Sequence, residues 1–282
     1  MTRLIAALLV SAGIAFAAQS RVGETRLLMG PEPDVSSVWT GKVVKALSGG
    51  FSDLLADLYW MRAIQYYGTQ KGHGTGFANL SPLLETAAEL DHRFSIVYRY
   101  GAVFLSEPVP VGAGEPAKGV ALLTKGADRN PLDWRLRQEE GLFTFFYLND
   151  PLRGSELLLR ASKIPGAPDW MAALSAQILA KGGELEAALS MWLIIREQSE
   201  PGILRENAAD QIRIVRSRIL ARDIEAAIRA HRERTGDTKA SLSELRRAGV
   251  ISDSVDLAGV EFVLDAEKGT VAISRASPLW RR

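Results

Sequence analysis

The sequence PLDW at residues 131–134 begins a segment with helical periodicity, PDW at residues 168–170 begins another, and Pro201 precedes a third at Leu204. Trp170 follows Trp134 by 36 positions, and Leu204 follows Trp170 by 34 positions. A period of about 34 residues with proline at the joints is typical of helix–turn–helix repeats. Because one such unit cannot bury its apolar face alone, units stack into an array. The sequence therefore predicts a mainly α fold, a helix–turn–helix α-solenoid with a concave binding face.

The apolar residues late in this array support helices of the expected kind. Two sets of them recur at helical spacing: Leu185, Ala188, Leu189, Trp192 and Leu193, and then Ala208, Ile212, Val215 and Ile219. Each set lies on one helix face. Asn149-Asp150-Pro151 is a helix break followed at once by a new start.

Changes in composition divide the chain into four segments. Residues 1–21 are a signal peptide or membrane anchor, 22–50 a lead-in, 51–220 the repeat domain, and 221–282 a small α+β module. We predict one helix from 203 to about 219 and a separate, charged one from 222 to 234. The hairpin of the module joins residues 260–264 to 270–274, with Gly269 in the turn.

The N-terminus indicates export. Arg3 precedes an uncharged run over residues 4–18, and Ala15-Phe16-Ala17 matches an A-x-A cleavage site. At about 1.5 Å per residue this run reaches roughly 22 Å, less than the roughly 30 Å hydrocarbon core. Two interpretations stay open, a cleaved signal peptide and an uncleaved anchor. Both predict a periplasmic protein, tethered to the inner membrane in the second case.

Composition excludes several functions. The chain has no cysteine, which rules out disulfides and thiol catalysis, and its net charge of +1 gives no basic field for nucleic acid. Its three histidines, His73, His92 and His231, lie in separate segments, and no serine lies in a Gly-x-Ser-x-Gly motif. We therefore predict no enzyme, no metal and no cofactor.

The helix predicted over residues 51–67 is unusually apolar. Four residues lie on or near one face, Leu54, Leu58, Met61 and Tyr66, and further apolar residues surround them. Such a helix is expected to be covered on two sides. Asp57 on this helix is expected to be buried with a polar partner, such as Arg62 or a group on another helix, because an unpaired buried carboxylate is costly.

Three stretches resemble known families. Residues 87–219 resemble tetratricopeptide-repeat proteins, on the following residues: Trp134, Trp170, Tyr147, Pro131, Pro168 and Pro201. Residues 50–67 look like the first helix of a group of membrane-anchored bacterial repeat proteins, and residues 224–245 with the hairpin look like a tail shared with pseudopilins. These resemblances imply a scaffold or assembly role.

Aromatic and arginine side chains on the predicted helices are the candidates for a partner-binding groove. They are Tyr98, Tyr100, Arg135, Arg137, Tyr147 and Arg153. The hypothesis is a non-catalytic protein-interaction scaffold, an accessory subunit or assembly factor of a bacterial envelope complex. The alternative is a soluble periplasmic ligand- or cell-wall-binding protein that uses the glycine-rich loop at residues 72–76.

Overall fold

A computed structural model describes residues 13, 40–73, 76–236 and 240–280. The predicted signal or anchor over residues 4–18 lies outside these residues, apart from Gly13, as does the lead-in before residue 40. Within the described ranges, no helix is both long enough and apolar enough to span a membrane. The chain divides into two compact units, 1–122 and 123–282.

The described part of the chain is mainly helical, with one small antiparallel sheet, which confirms the predicted class. The first unit contains α1 Gly41–Leu47, α2 Ser52–His73, α3 Leu80–Leu90 and α4 Ser95–Ser106. Helix α5, Pro116–Arg129, crosses the boundary between the units. The second unit contains α6 Trp134–Leu148, α7 Pro151–Ser162, α8 Trp170–Lys181, α9 Leu185–Gln198, α10 Ile203–Thr235, α11 Leu242–Arg247, β1 Val263–Asp265 and β2 Thr270–Ala272.

In the first unit, α3 is the central helix and contacts α1, α2 and α4. Small residues of α2, Ala56 and Ala63, are fully buried. Aromatic rings extend the packing, because Tyr67 stacks on Phe104 with ring centroids 4.1 Å apart and Trp60 lies 6.1 Å from the same ring. One face of α2 is therefore fixed by close helix packing.

In the second unit, consecutive helices from α6 to α10 pack in pairs. The α6–α7 joint shows how three residues end one helix and begin the next. Asn149 adopts the left-handed conformation at φ 53°, the Asp150 carboxylate accepts a hydrogen bond from the Arg153 N–H at 2.9 Å, and Pro151 fills the first turn. Each residue type is the one preferred for its position.

Helix α10 is continuous over 33 residues and shows no break near residue 220. The predicted division into two helices there is wrong, because both halves have a core to pack on. The first half contributes Ala208, Ile212 and Val215 to the core formed with α8 and α9. The second half contributes Ile224 and Ile228 to the core of the C-terminal module.

The C-terminal module is held on α10 by hydrogen bonds as well as apolar contacts. Ser217 Oγ accepts from the Leu257 N–H at 3.1 Å, and the Glu225 carboxylate accepts from the Val271 N–H at 2.6 Å. The predicted hairpin is present with shorter strands, and its antiparallel register pairs Leu264 with Val271. These backbone groups of the module are thus satisfied by side chains of the long helix.

Helices α6 and α7 approach each other closely where Gly141 and Gly154 meet. A Cβ atom on Gly154 would lie 2.8 Å from the Gly141 carbonyl oxygen and 3.1 Å from Phe145 Cβ. A backbone atom cannot yield as a flexible side chain can, so only glycine fits this crossing.

We expect Gly154→Ala to lower the free energy of unfolding by about 1–3 kcal/mol, because the added methyl group forces the two helices apart. Gly68→Ala is the matched control, since Gly68 is a helical glycine and a methyl group added there would meet no other atom within 4 Å. That change should raise the free energy by about 0.5–1 kcal/mol. Urea unfolding followed by circular dichroism measures both, and equal stability of the two variants would contradict the crossing.

Candidate functional site

The structure divides the six candidate residues between the two units. Tyr98 and Tyr100 lie on α4 of the first unit, and the other four lie on α6 and α7 of the second.

The two tyrosines of α4 have different environments. Tyr98 is fully buried, and its hydroxyl donates a hydrogen bond to the Ala88 carbonyl oxygen at 3.2 Å. Its side chain serves the contact between α3 and α4 and is not presented to a partner. Tyr100 is 52 % exposed and is available to one.

Arg137 joins a buried carboxylate, that of Glu140, to an exposed one, that of Asp128. Its guanidinium donates to the Glu140 carboxylate at 2.5 Å and to the Asp128 carboxylate at 2.7 Å. Glu140 is only 1 % exposed, and its second oxygen accepts from the Thr124 hydroxyl at 2.8 Å. The spacing explains the cluster, because Thr124 and Asp128 share one face of α5 and Arg137 and Glu140 share one face of α6.

The electrostatics of the network favour the charged guanidinium. Burial would lower the pKa of Arg137, but the hydrogen bond to Asp128 and the charge of Glu140 outweigh burial, so the pKa is raised. Removing the guanidinium would leave the Glu140 carboxylate buried beside a single neutral hydroxyl. Arg137 therefore holds α5 and α6 together and is committed within the protein.

Helix α6 carries an exposed arginine near its start and a group of aromatic residues near its end. The Arg135 guanidinium lies over the Trp134 ring at 4.4 Å from its centroid, and the Phe143 and Tyr147 rings are 5.1 Å apart. Phe146, in the same part of the helix, is 67 % exposed. We define Arg135, Phe143, Phe146 and Tyr147 as the α6 face. Arg153 is exposed at the start of α7.

A second surface was missed by the sequence analysis. The predicted coverage of α2 on two sides is wrong, because Phe51 and three residues of α2, Leu54, Leu58 and Met61, are exposed. We define these four residues as the α2 stripe. Asp57 is exposed as well, contrary to the predicted burial. The signal was present in the sequence, since the four apolar residues recur at alternating spacings of three and four.

The C-terminal module contains a cavity of about 360 Å³ between α10 and β2. Two of its charged side chains, Arg222 and Glu225, are engaged within the protein. Arg222 pairs with Glu186 at 2.7 Å and with Asp223 at 3.0 Å, and Glu225 caps the Val271 N–H. The hydrogen bond from Arg222 lowers the pKa of the Glu186 carboxyl. We assign this cavity no ligand.

Other kinds of site are less supported by the geometry. Among the residues that the structure describes, no three His, Asp or Glu side chains are grouped to hold a metal ion. The predicted glycine-rich ligand loop includes residues 74 and 75, which lie outside the described residues. The ligand-binding alternative therefore stays a prediction from the sequence.

Comparison with known proteins leaves the function to be argued from this chain itself. No protein-family model, curated protein or solved structure matches it. The α6 face and the α2 stripe are then the two surfaces whose chemistry requires an explanation.

We expect Arg137→Met to lower the free energy of unfolding by about 3–5 kcal/mol, because it leaves the Glu140 carboxylate buried without its cation. Arg135→Met is the matched control on the same helix and should cost only about 0.5–1 kcal/mol, the value of an exposed cation–π contact. Adding Glu140→Gln to Arg137→Met should recover part of the loss. The free energies of unfolding are measured in urea, and an equal cost for the two methionine variants would show that Glu140 does not depend on Arg137.

Proposed function

We propose that this chain is a non-catalytic protein-interaction scaffold, an accessory subunit or assembly factor of a bacterial envelope complex. Its helix pairs form a tetratricopeptide-like α-solenoid, and the α6 face binds the partner. The observation that carries the proposal is the exposure of Phe146 on a helix that also carries the exposed Arg135 and the half-buried Phe143 and Tyr147.

The residue types of the α6 face favour protein binding. Aromatic residues and arginine are enriched at protein interfaces and carry much of their binding energy. Burying an exposed phenylalanine contributes about 1.5–3 kcal/mol, which a partner gains and the isolated chain does not. The stacked Arg135 adds donors for a carboxylate or carbonyl at the edge of the same surface.

The packing beneath the α6 face supports a preformed surface. The glycine crossing with α7 fixes the position of α6, and Phe145, adjacent to Phe146, packs against the core formed by α7 and α8. The backbone of α6 is therefore ordered before a partner arrives. A preorganised surface loses less conformational entropy on binding than a mobile one.

The location is proposed from the sequence. The uncharged run over residues 4–18 after Arg3 supports export, and its retention would place the scaffold beside membrane proteins. The partner is then a protein of the envelope, bound in the periplasm.

We expect a stoichiometric partner to copurify with tagged full-length protein from its native membranes in mild detergent. Phe146→Ala should reduce its retention strongly, because loss of an interface hot spot of about 2 kcal/mol weakens binding about 30-fold. Quantitative mass spectrometry of the eluate measures the effect.

Ile203→Ala is the matched control, since Ile203 is exposed but lies outside the α6 face. It should retain the partner at the wild-type level. An eluate without any stoichiometric partner, or equal retention by the two variants, would exclude the α6 face. If the N-terminal peptide of the tagged protein begins at Met1 or Thr2, the anchor is retained. If it begins near Ala18, the segment is cleaved and the protein is soluble in the periplasm.

A further inference from the structure

The α2 stripe is a regular apolar row on one side of a helix. Its four residues, Phe51, Leu54, Leu58 and Met61, are each between 47 % and 68 % exposed, and they follow one another at spacings of 3, 4 and 3. The opposite side of α2 is buried. This alternation is the a/d pattern of a helix that pairs with a second helix.

We propose that the α2 stripe is the interface with a second copy of this chain, in which the two α2 helices pack parallel and in register. With Phe51 and Leu58 at the a positions, Leu54 and Met61 take the d positions. The same spacing continues to Gln65 and Gly68, which carry no large apolar side chain, and the exposed Ile64 takes the g position beside the end of the stripe. This surface is separate from the α6 face.

The charges beside the stripe favour a second copy of this chain as its binding partner. Asp57 occupies a g position and Arg62 the following e position, five residues later, and both are exposed. In a parallel pair in register, the g side chain of one helix faces the following e side chain of the other. Each dimer would thus form two Asp57–Arg62 ion pairs between copies, one on each side of the stripe.

The orientation follows from the same two charges. In an antiparallel pair, g positions face g positions and e positions face e positions, which leaves Asp57 without a cation opposite. Arg62 also interacts within its own chain. A guanidinium has five N–H donors, so it can keep that interaction and bind a second carboxylate.

Two other occupants fit less well. Helices that lie on lipid surfaces are rich in lysine and arginine on their polar face. Next to the stripe, however, Asp53 and Asp57 outnumber Arg62. The chain's own N-terminal run, residues 4–18, carries no charge and offers no counterpart to either Asp57 or Arg62.

The stripe spans about two heptads, which is too short for an isolated coiled coil. Here α2 is already folded against α3, so pairing does not have to form the helix. The expected dimer is consequently weak, and it requires a test that captures a weak complex.

The absence of cysteine provides that test. Leu54→Cys and Met61→Cys each place one thiol at a d position of the full-length chain. In the proposed dimer each thiol meets its own copy at a separation that a disulfide can bridge. We expect both variants to form disulfide-linked dimers under mild oxidation, and Ile203→Cys, an exposed control away from the stripe, to stay monomeric on a non-reducing gel.

The charge pair provides a second, reversible readout by sedimentation velocity in mild detergent. Asp57→Arg and Arg62→Asp should each weaken the dimer at least about tenfold, through like-charge contacts worth about 1.4 kcal/mol or more in total. The double variant Asp57→Arg/Arg62→Asp should restore it. Circular dichroism confirms that each variant folds.

Several results would overturn the proposal. Cross-linking of only one of the two cysteine variants would indicate antiparallel pairing, and cross-linking no stronger than Ile203→Cys would indicate no pairing through the stripe. Dimers that appear only after residues 1–39 are deleted would show that the chain's own N-terminus covers the stripe. Binding to phosphatidylglycerol vesicles that Leu58→Asp abolishes, without dimers, would assign the stripe to lipid.

Discussion

The unbroken backbone of α10 is the constraint on which the second unit depends. Its first half completes the core with α8 and α9, and its second half provides the apolar surface against which the C-terminal module packs. The hydrogen-bonding side chains Ser217 and Glu225 lie eight residues apart, so both face the module only while the helix stays regular. A break between the two halves would turn one of these side chains away from its backbone partner. The module is therefore part of the same cooperative structure as the last helix pair.

Sequence reasoning succeeded where the determinants are local. Asn149, Asp150 and Pro151 each favour one backbone position, and together they end α6 and begin α7 without help from the rest of the chain. Gly269 likewise allows the hairpin turn, because its φ of 71° is a conformation that glycine adopts readily. The missing break in α10 shows the limit of this reasoning. A change from apolar to charged composition was interpreted as a boundary. Ile224 and Ile228 nevertheless offer an apolar face to core residues that lie between Leu242 and Val271, much later in the chain.

The candidate site depends on packing that a single sequence does not display. Arg135 and Arg137 are two positions apart, so they lie on nearly opposite sides of α6. Arg135 is exposed and stacks on a half-buried tryptophan, and Arg137 is committed to a buried carboxylate. Both were candidates because they are arginines. The position of α5 determines which of the two is bound within the protein and which stays available to a partner. Asp57 is a second example. The apolar helix around it suggested that it is buried, but no other described element covers the side of α2 on which it lies.

A self-pairing surface and a partner-binding surface on one chain have a common consequence for affinity. If two copies pair through α2, each assembly carries two α6 faces, and a partner with two matching sites is held by both at an increased effective concentration. A weak dimer is sufficient for this, because binding of the bivalent partner also favours the paired state by mass action. The coupling is reciprocal, so loss of either surface weakens the other interaction without changing a contact in it. An assembly factor of this kind needs exposed apolar residues on both units, one set for self-pairing and one for the partner. A monomeric ligand-binding protein would gain nothing from the regular spacing of the α2 stripe.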